Sequence, residues 1–176
     1  DILRPFHSKD VKGYEFLEML KTKVLHLRDK CNLDEEMFND LIDMCYKYFK
    51  DNTFGLIHGD LHFDNFIFDG TNLHLLDFER CMVAPIDYDF KIFSRYSVQP
   101  YLWASAKTDM VTVESDYQDL MSLFLENYSE LSNIPYINER LEFYSIIESL
   151  DNYKNTKDEE RLEEVREIIQ RLKEQD

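Results

Sequence analysis

Apolar residues near the start of the chain recur at three- and four-residue steps: Tyr14, Leu17, Leu20, Val24 and Leu27. That spacing puts them on one face of a predicted helix running from Val11 to Arg28. Met37, Leu41, Met44, Cys45 and Tyr48 form a second stripe, and Asp34 stands where an N-cap belongs. Both stripes predict helices that pack into a core.

The period then shortens. Phe54 to Ile57 is a brief apolar run that ends in His58-Gly59-Asp60. Beyond it, Phe66-Ile67-Phe68 and Leu73-His74-Leu75-Leu76 read as two short strands around Asp69-Gly70-Thr71-Asn72. Asp, Gly and Asn tolerate positive φ, so this turn predicts a β-hairpin.

Helical spacing returns after Pro85. Ser115 with Gln118 reads as a capping box before Tyr117, Leu120, Met121 and Phe124. Leu141, Tyr144, Ile147 and Leu150 make another stripe. Thr156 with Glu159 reads as a second capping box, leading into Leu162, Val165, Ile169 and Leu172 on a heavily charged helix. No internal repeat or low-complexity linker interrupts the pattern, and 176 residues suffice for one sizeable core, so a single unit over 1–176 is expected. The fold class is α+β, mainly α.

Composition narrows the partners. Twenty Lys and Arg against thirty-six Asp and Glu give a formal charge of −16, which repels phosphate backbones and anionic lipid. Nucleic acid and membrane are therefore not expected, while a cationic small molecule suits the charge. Cys31, Cys45 and Cys81 are odd in number and lack CxxC spacing, which argues against disulfides or a zinc site and for a reducing, cytoplasmic setting. The first residues, Asp-Ile-Leu-Arg, lack the plan of a signal peptide, and we expect the chain to be a piece of something longer.

The chemistry-bearing stretch is His58-Gly59-Asp60-Leu61-His62-Phe63-Asp64-Asn65, followed by Asp77 in Leu75-Leu76-Asp77-Phe78-Glu79. Phosphoryl transfer needs a carboxylate to orient the attacking hydroxyl and hard oxygen ligands for Mg²⁺. Asp60 and Asn65 on one loop, with Asp77 at the end of the next hairpin, supply those groups. The interval of five from Asp60 to Asn65 equals that of the protein-kinase catalytic loop, and a hairpin separates that loop from Asp77.

His-Gly-Asp-Leu-His in place of His-Arg-Asp, and Asp-Phe-Glu in place of Asp-Phe-Gly, resemble the aminoglycoside phosphotransferase and choline kinase superfamily. Asp87-Tyr88-Asp89-Phe90 is similar to that family's acidic segment after the metal-binding Asp. The resemblance implies a protein-kinase-like C-terminal lobe with a small β-hairpin beside the catalytic loop, and transfer of the γ-phosphoryl group of ATP or GTP to a hydroxyl of a small molecule. It implies Asp60 as catalytic base, Asn65 and Asp77 as Mg²⁺ ligands, and His58 and Asp89 as supports of the loop. Glu79 and His62 are further candidates for contact with substrate or nucleotide. It also implies that the stretches Tyr96 to Tyr117 and beyond Ser132 select the acceptor. Tyr96, Tyr101 and Trp103 are candidates for a cation-binding wall.

Gly13, Gly55, Gly59 and Gly70 cannot form GxGxxG, and there is no Val-Ala-Ile-Lys strand. The nucleotide-binding N-terminal lobe is therefore expected on a partner segment of the parent protein, and these 176 residues by themselves are expected to have negligible activity. Two other readings remain: a non-catalytic kinase-like binding module, and a metallohydrolase liganded by His58, Asp60, His62 and Asp64. The latter runs short of ligands, since His7, His26 and His74 lie in no spaced motif.

Overall fold

A computed structural model describes Leu3, His7 and residues 16–98 and 114–175. Residues 11–15 of the first predicted helix, the side chain of Ser115, and Tyr101 and Trp103 lie outside the described residues. The described chain is mainly helical with two small antiparallel strand pairs, an α+β fold. It divides into two compact units, one of Asp1–Gly13 with Thr53–Ile137 and one of Tyr14–Asn52 with Asn138–Asp176.

The second unit is helical. Helices α1 (Phe16–Cys31) and α2 (Glu35–Phe49) carry the two predicted stripes; Leu20, Val24 and Leu27 on the first and Met37, Leu41, Met44, Cys45 and Tyr48 on the second are buried, while Leu17 is half-buried. Asp34 caps α2 as predicted, its carboxylate accepting the Met37 N–H at 2.9 Å. Leu141, Tyr144, Ile147 and Leu150 lie buried on the helix Ile137–Thr156, and Leu162, Val165, Ile169 and Leu172 on the helix Glu159–Glu174. One expectation fails: the cap of that last helix is Asp158, which accepts from Glu160 N, and not Thr156. Thr156 is still the last residue of the preceding helix, and its hydroxyl donates back to Asn152 O, so it cannot open the next one.

Arg140 is fully buried in this unit. Its guanidinium donates to Tyr48 O, Asp51 O and Asn52 Oδ1 and lies over the Phe49 ring, so a cation ties down the end of α2 and the turn after it.

The first unit carries the strands. Strand β1 (Phe54–Ile57) pairs antiparallel with β4 (Met82–Pro85), Gly55 facing Ala84 and Ile57 facing Met82. Between them, β2 (Phe66–Phe68) and β3 (Leu73–Leu75) form the predicted hairpin, with Phe66 facing Leu75. Asp69 builds its turn by accepting the Thr71 and Asn72 N–H groups on Oδ1, a local pattern that Asp favours. Strand β4 is unforeseen in the sequence, because Met-Val-Ala-Pro is short, does not alternate, and ends in a residue confined to strand edges.

An aromatic cluster underlies these strands. Helix α3 (Lys91–Val98) contributes Phe93 and Tyr96, and Phe63, Phe90, Tyr117, Phe124 and Tyr128 gather around them. Tyr96 stacks on Phe63 at 5.1 Å and 10° and is 3% exposed, so it packs as a core ring. The predicted stripe from Tyr117 to Phe124 is broken at Asp119, between the helices Glu114–Gln118 and Leu120–Asn127.

Candidate active site

The loop from His58 to Asn65 leaves β1, whose last residue, Ile57, is buried. Its backbone is fixed by a carboxylate far along the chain. Asp89, 2% exposed, accepts the His58 N–H on Oδ2 and the Gly59 N–H on Oδ1, each at 2.8 Å. A third donor, His7 Nε2, reaches Asp89 Oδ2 at 3.0 Å. Three donors on one buried carboxylate compensate its desolvation, and charge-assisted bonds of this kind are about twice as strong as neutral ones.

Gly59 has φ +81°, and a Cβ there would come within 2.3 Å of Arg80 O. The loop therefore packs backbone to backbone on the segment that follows Asp77. Leu76 tightens the junction: its N–H donates to Asn65 O at 2.8 Å, and its carbonyl accepts from His58 Nε2 at 2.7 Å. Since that partner is a carbonyl, Nε2 carries the proton, and Nδ1 is left as a buried lone pair without a hydrogen-bond partner among the described residues. The His58 ring also meets the edge of Phe78 at 5.0 Å. Asp77 thus sits between two residues anchored to the loop.

Asp77 takes the left-handed conformation, φ 59° and ψ 68°, with no capping bond from its side chain. For a residue with a Cβ this costs about 1–2 kcal/mol, strain of the sort that collects at functional sites. Asn65 is buried and its orientation is determined by its neighbours. Nδ2 donates to Asp60 O at 2.8 Å and to His62 Nε2 at 3.2 Å, which leaves Oδ1 as its remaining group. Neither Asn65 Oδ1 nor the Asp77 carboxylate has a hydrogen bond or ion pair among the described residues. Two uncommitted hard oxygens beside one loop suit Mg²⁺.

Asp60 is partly exposed, and Arg80 Nε lies 3.6 Å from its Oδ2. With Arg80 71% exposed, the pair is solvent-screened and weak, but it sets a cation beside the carboxylate. Glu79 is exposed and without a partner among the described residues, and His62 is committed to Asn65. The four-residue metallohydrolase set does not assemble: the His58 imidazole is turned to Leu76 O, and among the described residues no three His, Cys, Asp or Glu side chains are placed to hold an ion.

Two neighbours of the loop are not among the residues that the sequence pattern singles out. His7 is separated from Asp89 by 82 positions and belongs to no motif. Arg80 could have been suspected from its place just after Asp77-Phe78-Glu79. Among the described residues no helix is long and apolar enough to cross a membrane.

The model of the phosphotransferase enzyme family matches residues 4–111, more than half of the chain. No curated protein and no solved structure matches.

Proposed function

Because the chain belongs to the phosphotransferase enzyme family, we propose that it transfers the γ-phosphoryl group of a nucleoside triphosphate, ATP or GTP, to a hydroxyl of a small molecule. The observation that carries this reading is the double anchoring of Leu76, the residue before Asp77, by Asn65 O and by the His58 ring. Order and spacing in the sequence supply the residue types, and that junction supports a reading in which they act together.

Asp60 orients the acceptor hydroxyl and takes its proton as the oxygen bonds to the transferred phosphorus. Asn65 Oδ1 and the Asp77 carboxylate would hold Mg²⁺, which when bound neutralises charge on the nucleotide phosphates. Asp89 and His58 keep the loop in register, and Gly59 permits its close approach to Arg80. Arg80 balances part of the negative charge gathered by Asp60, Asp77 and Glu79. Glu79, exposed near Asp77 in sequence, and the ring nitrogen of His62 that Asn65 does not engage are contacts for substrate or nucleotide.

The described fold is then the C-terminal lobe of a kinase-like enzyme, and the nucleotide is covered by an N-terminal lobe of the parent protein. Large exposed apolar side chains on the hairpin and next to Asp77 in sequence support this: Ile67, Phe68, Leu73, Leu76 and Phe78 are each more than 40% exposed. The acceptor is a small hydroxylated compound for which the net charge favours a cation.

The test is a screen of the full-length protein with Mg-ATP and Mg-GTP against hydroxylated amines, sugars and antibiotics, read as phosphorylated product. Asp60→Asn should lower the rate by about 10²- to 10⁴-fold, and Asp77→Asn by at least as much. Nucleotide binding without transfer to any acceptor would instead favour a non-catalytic binding module.

A further inference from the structure

Asp89 is held from two sides, and only one of them is the loop it braces. Its Oδ2 accepts from His58 N and also from His7 Nε2, whose side chain and that of Asp89 are both fully buried. The other imidazole nitrogen, Nδ1, lies 2.9 Å from the hydroxyl of Tyr128. With a carboxylate facing Nε2, that nitrogen donates to Asp89, and Nδ1 pairs with the Tyr128 hydroxyl. The ring is gripped edge-on by Phe90 and Tyr128, at 6.1 and 5.8 Å.

The backbone at His7 is seated as closely as its ring. Its N–H donates to Leu3 O at 3.0 Å. On β1, a Cβ at Gly55 would come within 2.9 Å of His7 Cα and O, so the bare backbone of that strand makes room for it. A relay of Tyr128, His7 and Asp89 thus ends on the amides of His58 and Gly59, directly before Asp60.

We propose that His7 is a positioning residue for the Asp60 loop, fixing the Asp89 carboxylate in the rotamer that receives both loop amides. A segment some fifty residues upstream of the loop in sequence is thereby part of its geometry. The catalytic consequence rests on the phosphotransferase reading above, and the effect on the loop does not.

Two variants of similar polarity separate this role from simple packing. Glutamine can place its amide N–H where His Nε2 stands, whereas asparagine reaches only as far as Nδ1. The amides of His58 and Gly59 are followed by hydrogen exchange in the whole chain, with the amide of Leu41 as an internal reference. Exchange at both loop amides should rise about tenfold or more in His7→Asn and stay close to wild type in His7→Gln. Equal exchange in the two variants, whether slow or fast, overturns the proposal.

Tyr128→Phe keeps the test open should His7→Asn fail to fold. It removes one oxygen from a ring that remains packed on Phe90, and it should raise exchange at the same amides several-fold; unchanged exchange overturns the proposal. In the full-length enzyme His7→Asn should lower kcat with little change in KM, and His7→Gln should restore it. Faster loop exchange in a protein that transfers no phosphoryl group would leave this inference standing and contradict the proposed function.

Discussion

The Asp89 carboxylate accepts the backbone N–H of Gly59 at 2.8 Å across thirty positions of sequence, and it does so from a fully sheltered site. Its other oxygen takes the neighbouring His58 N–H, so one side chain holds two successive peptide units. The conformation of the loop is therefore set from outside the loop.

That arrangement predicts a large cost for Asp89→Asn. The amide that replaces one carboxylate oxygen is itself a donor and confronts a backbone N–H, and the charge that strengthened the other bonds is gone. Denaturant unfolding should record a loss of about 2–4 kcal/mol. Glu79→Gln, on an exposed side chain without a partner among the described residues, should change stability by no more than about 0.5 kcal/mol. Similar small values for both would mean that Asp89 does not bear on the loop.

Two glycines with positive φ separate backbone strain from steric conflict. Gly70 has φ +95° and nothing within 4 Å of the point where an alanine methyl would stand, so Gly70→Ala should cost about 1–2 kcal/mol from the left-handed conformation alone. Gly59→Ala adds an encounter with Arg80 O and should cost about 3 kcal/mol or more. Equal unfolding midpoints for the two variants would contradict the close packing of the loop on residue 80.

The hairpin turn has a defined pH window. Asp69 is held down to about 2 from its ordinary value of 3.8, first by the Asn72 N–H, then by His74 and the Thr71 N–H. A folded-state value below the unfolded one gives a contribution that is complete above about pH 4 and lost as pH falls toward 2. Carboxyl NMR should place the Asp69 midpoint near 2, and the cross-strand contact of Ile67 with His74 should weaken over the same range. A midpoint near 3.8 would mean that the turn is not built on this carboxylate.

In the second unit, Arg140→Met should destabilise by about 3 kcal/mol or more despite its similar length. Methionine fills the space over Phe49 but leaves Tyr48 O, Asp51 O and Asn52 Oδ1 without the guanidinium that they share. A neutral substitution would show that the end of α2 does not depend on that cation.

What the sequence made legible was local. Leu20, Val24 and Leu27 announce their helix by spacing, Asp34 marks the start of α2, and Asp69-Gly70-Thr71-Asn72 marks a hairpin, because each signal lies within a few residues of its effect. The order His58, Asp60, Asn65, Asp77 likewise lies within one short stretch. The contacts of His7 with Asp89 and of Arg140 with the end of α2 span 82 and about 90 positions, and no periodicity encodes them. Tyr96 was ambiguous for a related reason: an aromatic ring reads alike in sequence whether it faces a ligand or, as here, the ring of Phe63. Thr156 and Asp158 are both good caps two residues apart, and only the path of the preceding helix decides between them.

In the proposed reading, Asn65 and Asp77 share one nucleotide-bound ion. With Mn²⁺-ATP in place of Mg²⁺-ATP, paramagnetic broadening of amide signals reports any ion held nearby, even at weak affinity. Signals of Asn65 and of Leu76 to Phe78 should broaden together, and Asp77→Asn should abolish the effect on both. Broadening at Asn65 that survives Asp77→Asn, or that centres on acidic helix starts such as Glu35-Glu36, would contradict the shared site.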